Sequence, residues 1–234
     1  FPGTYDRPDA VYQIVENAPE PLGSTMKDLI ERRLADPTLP MEEAFSQHLK
    51  EEELELPSGQ FALFMNSMYA VDAYVRDYFR KAALDALLAE KLPVTVFGEG
   101  WEKYSCGDEH SLRREPAVPF ALSFERIAKA HVLLNVSPIF NRGMHDRVPA
   151  GMANHAVVLT DENPYLRRTF TDGKELLFYS LEKPDTLCEQ AERTLTDVRL
   201  REKIAASAYE TFEREYTWKH RAEQILAFAE EVEA

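Results

Sequence analysis

Short apolar runs alternate with helical stretches from Pro93 onward, and this alternation constrains the fold more than any other feature of the sequence. The runs are Val94–Phe97, Val132–Val136, Ala156–Thr160 and Glu175–Tyr179, and each has the length of a buried strand. Buried strands separated by helices predict a parallel sheet that is covered on both faces. Right-handed connections then make a doubly wound, Rossmann-like α/β fold, whose ligand crevice lies at the carboxyl ends of the strands.

The first 66 residues have a different pattern, because prolines divide them into short pieces. We therefore predict a proline-broken helical extension or linker over residues 1–66, with helices at about Thr25–Leu34 and Met41–Lys50. The Rossmann-like domain is predicted over residues 67–234 and begins with a long helix at about Tyr69–Glu90.

Three further helices are predicted at the C-terminal end of the chain. The last of them, about Trp218–Val232, carries apolar residues at helical spacing. We expect Trp218, Ile225 and Leu226 to lie on its buried face.

The charge balance excludes some classes of function. The chain has 41 acidic and 27 basic residues, a formal net charge of -14, and such a surface repels nucleic-acid backbones. No apolar run approaches the ~20 residues of a transmembrane helix. The two cysteines, Cys106 and Cys188, lack metal-ligand spacing and are typical of a reducing compartment, so we expect a cytoplasmic location. Because the chain starts at Phe1 without an initiator Met, we expect a fragment of a longer protein.

Two glycines directly follow the first predicted strand. Gly98 and Gly100 flank Glu99 and precede Trp101. Glycines let a backbone approach a ligand closely, which makes this turn a candidate binding element. Lys103 stands where a dinucleotide-binding motif has its third glycine, so an ordinary turn is the stronger alternative from these residues alone.

A basic loop follows the second predicted strand. The segment Asn141–Val148 carries Arg142, His145 and Arg147 and leads into a predicted helix. A helix N-terminus favours an anion by ~0.3–1 kcal/mol, and arginine binds phosphate oxygens in a bidentate manner. The loop is therefore a candidate anion site, with ion pairing to neighbouring surface carboxylates as the alternative.

Polar residues also end the third predicted strand. Asp161 and Asn163 have side chains that bind hydroxyl groups, but such residues are equally common as helix caps. Composition alone favours the capping role. Neither a G-x-S-x-G nor an H-E-x-x-H motif occurs in the sequence.

The stretch Gly143–Phe178, GMHDRVPAGMANHAVVLTDENPYLRRTFTDGKELLF, and the tail Tyr216–Ala222 together resemble the C-terminal half of GT-B glycosyltransferases. They are most similar to the "glycosyl transferases group 1" proteins that resemble the spore maturation protein CgeB. Those proteins show a G-x-H-[DE]-R-V-F stretch, a V-x-[TV]-D strand end and a Tyr-Thr-Trp tail. The resemblance spans about Pro93–Val232.

The resemblance implies that the Rossmann-like domain binds a nucleoside-diphosphate sugar donor. It also implies that a further domain upstream binds an acceptor, which the sequence does not identify. No metal and no other cofactor is implied, because GT-B enzymes stabilise the leaving diphosphate with helix dipoles and basic side chains. In the implied site, the donor cleft is lined by Gly98, Gly100 and Trp101. The diphosphate lies near Arg142, His145 and Arg147. The sugar or ribose lies near Asp161 and Asn163.

Residues 147–155, RVPAGMANH, depart from the family pattern R-V-F-E-A-M-A-C-G, and two of the differences bear on function or on the backbone. Ala150 stands where an acidic residue commonly contacts the donor ribose, and His155 replaces a glycine. Alanine cannot accept a hydrogen bond from a hydroxyl group. The sequence therefore predicts a glycosyltransferase domain, with a catalytically silent binding or scaffold module and a GT-B-type nucleotide-sugar epimerase as alternatives.

Overall fold

The apolar runs of the sequence become short parallel strands, and the segments between them become helices. The computed structural model describes residues 1–233, apart from the side chains of Ser58 and Glu233; Ala234, the last residue of the predicted second segment, lies outside it. The strands are β1 (Val94–Phe97), β2 (Leu112–Glu115), β3 (Val132–Asn135), β4 (Val157–Asp161) and β5 (Leu177–Tyr179). The helices are α1 (Pro8–Glu16), α2 (Leu22–Ala35), α3 (Met41–Glu51), α4 (Ser58–Ser67), α5 (Tyr69–Ala89), α6 (Phe120–Ile127), α7 (Arg147–Ala153), α8 (Pro164–Thr169), α9 (Pro184–Thr196), α10 (Val198–Glu215) and α11 (Trp218–Glu233).

Among these strands, β1 pairs in parallel with β2, and β4 lies between β3 and β5 in a second parallel sheet. Residues 1–5 extend the first sheet along the other side of β1. The amino group of Phe1 donates to the Thr95 carbonyl oxygen, and the Gly3 N–H donates to that of Phe97 at 3.1 Å. This pairing brings the start of the chain into the centre of the fold.

Helices cover both faces of the three-stranded sheet. Leu159 of β4 packs in a cluster with Leu187 of α9, whereas Val158 packs in another with Val148 and Met152 of α7. All five residues of β4 are buried, as expected of a strand covered on both faces. The predicted α/β fold with parallel strands between helices is confirmed.

The first 66 residues pack into the same core as the sheet. Leu29 of α2 and Phe45 of α3 share one hydrophobic cluster with Leu84 of α5 and Val96 of β1. The expected helices within residues 1–66 correspond to α2 and α3, and α1 and α4 form in addition. The division of the chain at residue 66 stays a prediction.

The prediction for the last helix is wrong. The exposed fraction is 89% for Trp218, 68% for Ile225 and 63% for Leu226. Helical spacing fixes which residues share a face, but it does not say whether another element covers that face. Within residues 1–233 no element packs extensively on α11.

The turn after β1 needs its two glycines for packing against residues 1–5. Gly98 has a φ of 134° and Gly100 a φ of 86°. A Cβ atom on Gly98 would lie 2.0 Å from the carbonyl oxygen of Gly3, and one on Gly100 would lie 1.9 Å from that of Tyr5. These two glycines therefore allow the backbone of residues 1–5 to pack closely against the turn.

His155 also has a left-handed backbone, with a φ of 55°, and it follows the C-cap residue of α7. Helices commonly end on glycine at this position, which accounts for the glycine in the GT-B pattern. Here the imidazole ring instead stacks on Tyr209, with 4.1 Å between the ring centroids.

We expect Gly100→Ala to lower the free energy of unfolding by about 2–4 kcal/mol, because the added methyl group meets a main-chain oxygen in a left-handed conformation. Urea denaturation measures the change. Gly107→Ala is the matched control, since a Cβ atom there meets nothing within 4 Å, and it should change stability by less than about 0.5 kcal/mol. Equal losses in the two variants would contradict this account.

We expect His155→Gly to be more stable than His155→Ala by about 1 kcal/mol, because glycine adopts the left-handed conformation without the steric cost of a Cβ atom. Both variants lose the contact with Tyr209. The difference in their stability therefore measures the cost of the left-handed backbone conformation alone. Thermal unfolding of the two proteins compares them directly. Equal stability would show that residue 155 carries no backbone strain.

Candidate functional site

Buried polar side chains gather at the carboxyl ends of β3, β4 and β5. The Asn135 amide donates to Thr160 Oγ1 at 2.9 Å, and the Ser137 N–H donates to Asp161 Oδ1 at 2.8 Å. The Tyr179 hydroxyl donates to the Asn135 carbonyl oxygen at 2.9 Å. Each of these five residues is at most 5% exposed. The network fixes the geometry of the strand ends, where a doubly wound fold places its ligands.

Arg147, the first residue of α7, joins this network. Its Nη1 donates to Asn135 Oδ1 at 2.8 Å, and its Nη2 lies 2.8 Å from His145 Nε2. Because a guanidinium only donates hydrogen bonds, His145 Nε2 accepts from it. His145 Nδ1 lies beside the Asp146 carboxylate and 3.1 Å from the backbone nitrogen of Arg147. Burial, together with the charge of Arg147, lowers the pKa of His145. A neutral His145 therefore orients the arginine.

The site carries a buried positive charge. Burial lowers the pKa of Arg147 to about 10, so the guanidinium stays charged at neutral pH. Burial raises the pKa of Asp161 to about 7, although the Ser137 N–H donates to it. A buried guanidinium beside a carboxyl that is only partly ionised favours an anion with oxygen acceptors, such as phosphate.

Arg147 is held at a fixed height above the sheet because α7 packs very closely on the strands. A Cβ atom on Gly151 would lie 2.5 Å from Val158 Cγ2 and 2.8 Å from Leu133 Cδ2. Only a residue without a side chain permits this contact in the present arrangement.

Arg142 has different surroundings from Arg147. Its guanidinium forms an ion pair with Glu43 of α3, and its side chain is 67% exposed. The network around Arg147 thus includes His145 and Asp161 but does not include Arg142. A diphosphate contact by Arg142 stays a prediction.

Trp101 is 2% exposed and belongs to the core. Its ring stacks on Tyr5 with 5.0 Å between centroids, and its indole N–H donates to the Gly3 carbonyl oxygen at 2.7 Å. Trp101, Gly98 and Gly100 therefore all contact residues 1–5. Their predicted role in donor binding remains untested, and the contacts above give them a packing role.

Both ends of the Asn163 side chain already have partners. Its Oδ1 accepts from the Leu166 N–H at 2.7 Å and so caps α8, as the capping alternative predicts. Its amide nitrogen donates to the Phe140 and Gly143 carbonyl oxygens. Asn163 thus connects the basic loop to the end of β4. To contact a sugar, its side chain would have to give up one of these hydrogen bonds.

Sequence reasoning missed Asn135 and Tyr179. The signal for Asn135 is an amide side chain inside the apolar run Val132–Val136, at the end of a strand. Tyr179 carries no comparable signal, because aromatic residues are common in buried strands.

Comparison with known proteins places the chain in a family. Residues 76–227, more than half of the chain, match a family model described as "Glycosyl transferase-like". The chain belongs to this glycosyl transferase-like family. The matched range contains all five strands and Arg147. No curated protein matches the sequence.

Among solved structures, the chain is similar to TarM of S. aureus. A TarM variant in complex with Fondaparinux, alpha-GlcNAc-glycerol and UDP matches with a TM-score of 0.53 and 10% identity, over 65% of this chain and 32% of that one. A second TarM structure matches with a TM-score of 0.46 and 13% identity, over 64% and 31%. The match spans about a third of TarM, and at this identity it shows the fold alone.

Two further properties concern only the part of the chain that the structure describes. No helix there is both long and apolar enough to cross a bilayer. No cluster of three or more His, Cys, Asp or Glu side chains there has the geometry of a metal site.

We expect Asp161→Asn to remove a pH-dependent contribution to stability. The folded-state pKa of Asp161, about 7, is above the ordinary value of ~3.9. Between these values the folded chain binds a proton that the unfolded chain lacks, so this contribution is present below pH 4 and is lost as pH rises through 7. The slope is at most about 1.4 kcal/mol per pH unit.

Urea denaturation between pH 4.5 and 7.5 compares Asp161→Asn with the parent protein. Glu162→Gln is the control, because this neighbouring side chain is 38% exposed and its loss should leave the profile unchanged. Parallel pH profiles for the parent and Asp161→Asn would contradict the account of Asp161.

Proposed function

We propose that this chain carries the donor-binding part of a CgeB-like GT-B glycosyltransferase. It would bind a nucleoside-diphosphate sugar at the carboxyl ends of β3 and β4. The observation that supports this most directly is the buried guanidinium of Arg147, which Asn135 and His145 hold at the strand ends. Family membership supports the proposed class of reaction, and this geometry supports a diphosphate at the strand ends.

In the proposed reaction, the bond between the anomeric carbon and a diphosphate oxygen breaks. An acceptor hydroxyl oxygen forms the new bond to that carbon and gives up its proton to a base of the acceptor-binding domain. Negative charge accumulates on the departing nucleoside diphosphate, and a preorganised cation in a buried site stabilises it. Arg147 would do this, with neutral His145 fixing its orientation and Asp161 close to the sugar or ribose.

The acceptor and its binding domain belong to the proposal as well. The TarM complex contains UDP and a glycosylated glycerol, and we take UDP as the first probe of the donor site. The acceptor would bind to a further domain upstream. The cytoplasmic location expected from the two cysteines is also part of the proposal.

A catalytically silent binding module is the second candidate, and Ala150 favours it. In the family pattern this position is acidic, whereas Ala150 packs against the apolar cluster of Phe97, Ile127 and Leu133. No carboxylate therefore stands at residue 150 to accept a hydrogen bond from a ribose hydroxyl. Transfer of sugar from a donor by the full-length protein would exclude this candidate. Conversion of a UDP-sugar without an acceptor would instead indicate an epimerase.

We expect Arg147→Ala to weaken UDP binding by roughly 10- to 100-fold, since hydrogen bonds to charged groups are worth about 1.5–3 kcal/mol. Arg147→Lys should lose less, because it keeps the charge but not the planar fork. Isothermal titration calorimetry measures the affinities, and circular dichroism checks that each variant folds.

Arg142→Ala is the matched control, because Arg142 lies in the same loop but pairs with Glu43 at the surface. A change in UDP affinity of less than about threefold, the scale of an exposed ion pair, would leave Arg142 out of the site, whereas a loss like that of Arg147→Ala would bear out its predicted diphosphate contact. Failure of the parent to bind UDP, GDP and ADP would refute the proposed function. Equal binding by the parent and Arg147→Ala would remove Arg147 from the site.

A further inference from the structure

Arg80 of α5 is a buried arginine whose hydrogen-bonding capacity is only partly used. Its side chain is 6% exposed, and its Nη1 donates to the Thr4 carbonyl oxygen. Its Nε is buried without a hydrogen-bond partner among the residues that the structure describes. An unpaired buried donor on a charged group lowers the stability of the fold. The presence of Arg80 at this position therefore calls for an explanation.

The carboxylate next to Arg80 is shared with a second arginine. The closest acidic group is Asp77, whose Oδ1 lies 3.7 Å from Arg80 Nη1. Both oxygens of Asp77 already accept from Arg76, at 3.2 and 2.9 Å. Burial, with the charges of Arg147 and Arg76, lowers the pKa of Arg80 to about 9, so Arg80 is still charged at neutral pH.

Arg80 and Arg147 come together at the first residue of the chain. The guanidinium carbon of Arg80 lies 5.7 Å from the centroid of the Phe1 ring, and that of Arg147 lies 5.8 Å from the same centroid. α5 and α7 thus each bring one buried guanidinium next to the Phe1 ring. The carboxyl groups that act on them are Asp77, which Arg76 shares, Asp146 and the partly ionised Asp161.

Arg80 lies close to the protein surface. Thr4, whose carbonyl oxygen accepts from Arg80, is itself exposed. Arg80 Nη2 lies 3.4 Å from the position that a Cβ atom on Gly3 would occupy. The absence of a side chain on Gly3 leaves the guanidinium close to the backbone of residues 3 and 4, at the end of the segment that pairs with β1.

We propose that Arg80 is a second diphosphate-binding residue, and that Arg80 and Arg147 together bind the pyrophosphate group of the donor. This inference rests on the proposed function. A diphosphate would supply negative charge to two buried guanidiniums, and its oxygens could accept from Arg80 Nε, which has no partner among the described residues. Residues from two distant parts of the sequence would then share one ligand.

The test uses Arg80→Met and measures the binding of inorganic pyrophosphate and of UDP by calorimetry. Both affinities should fall roughly 10- to 100-fold, as for the loss of a charged hydrogen-bond donor. The melting temperature of the ligand-free variant should be equal to or higher than that of the parent, because a buried charge with an unpaired Nε is replaced by an apolar side chain. A lower melting temperature with unchanged affinities would show a structural role and overturn the proposal.

Arg33→Met is the matched control. Arg33 is also buried, with a side chain 2% exposed and an unpartnered Nε, but it has an ion pair with Asp72. Its loss should lower the melting temperature and leave both affinities within about twofold of the parent, because breaking a buried pair is destabilising. If Arg80→Met does not fold, Arg80→Lys replaces it and should bind pyrophosphate more weakly than the parent; equal binding would overturn the proposal.

The failure of this inference can be told apart from the failure of the proposed function. If the parent binds UDP and Arg80→Met binds it equally well, the role of Arg80 is refuted and the donor site stands. If the parent binds pyrophosphate through Arg80 but binds neither UDP nor GDP nor ADP, the proposed function is refuted and the two-arginine anion site stands.

Discussion

The close contact between residues 1–5 and the turn after β1 determines the geometry of the candidate site. Carbonyl oxygens of Gly3 and Tyr5 occupy the space that side chains on Gly98 and Gly100 would need, and the Trp101 indole N–H binds the same segment. This contact places the Phe1 ring beside Arg147 and Arg80. The two glycines therefore affect an anion site that they do not themselves form.

An anion site in a chain of net charge -14 needs a local reversal of charge. Surface carboxylates act weakly on it, because physiological salt screens exposed charges beyond roughly 8 Å. Buried arginines at strand ends are screened far less, and burial keeps water from competing for their hydrogen bonds. The acidic surface and the cationic site can thus coexist, and the surface slows the approach of anions more than it weakens their binding.

The sequence predicted those parts of the fold that depend on local pattern. Apolar runs located β1, β3, β4 and β5, but β2, with the sequence LRRE, was missed because only Leu112 in it is fully buried. Arg142 and Arg147 were indistinguishable by position in one loop. They differ in the structure because Arg142 pairs with Glu43 and Arg147 donates to Asn135. No local sequence pattern reveals these partners. Arg80 was missed for the same reason, since its partners are residues 1–4.

The packing of α7 has a consequence for how sequences of this kind can change. Residue 150 faces a small apolar cluster, and substitutions there alter contacts at the helix surface. Residue 151 packs directly on Val158 and Leu133, so a larger residue needs these two side chains, or α7 with the guanidinium of Arg147, to shift. Alanine, which the GT-B pattern has at this position, therefore requires a different fit between the helix and the sheet.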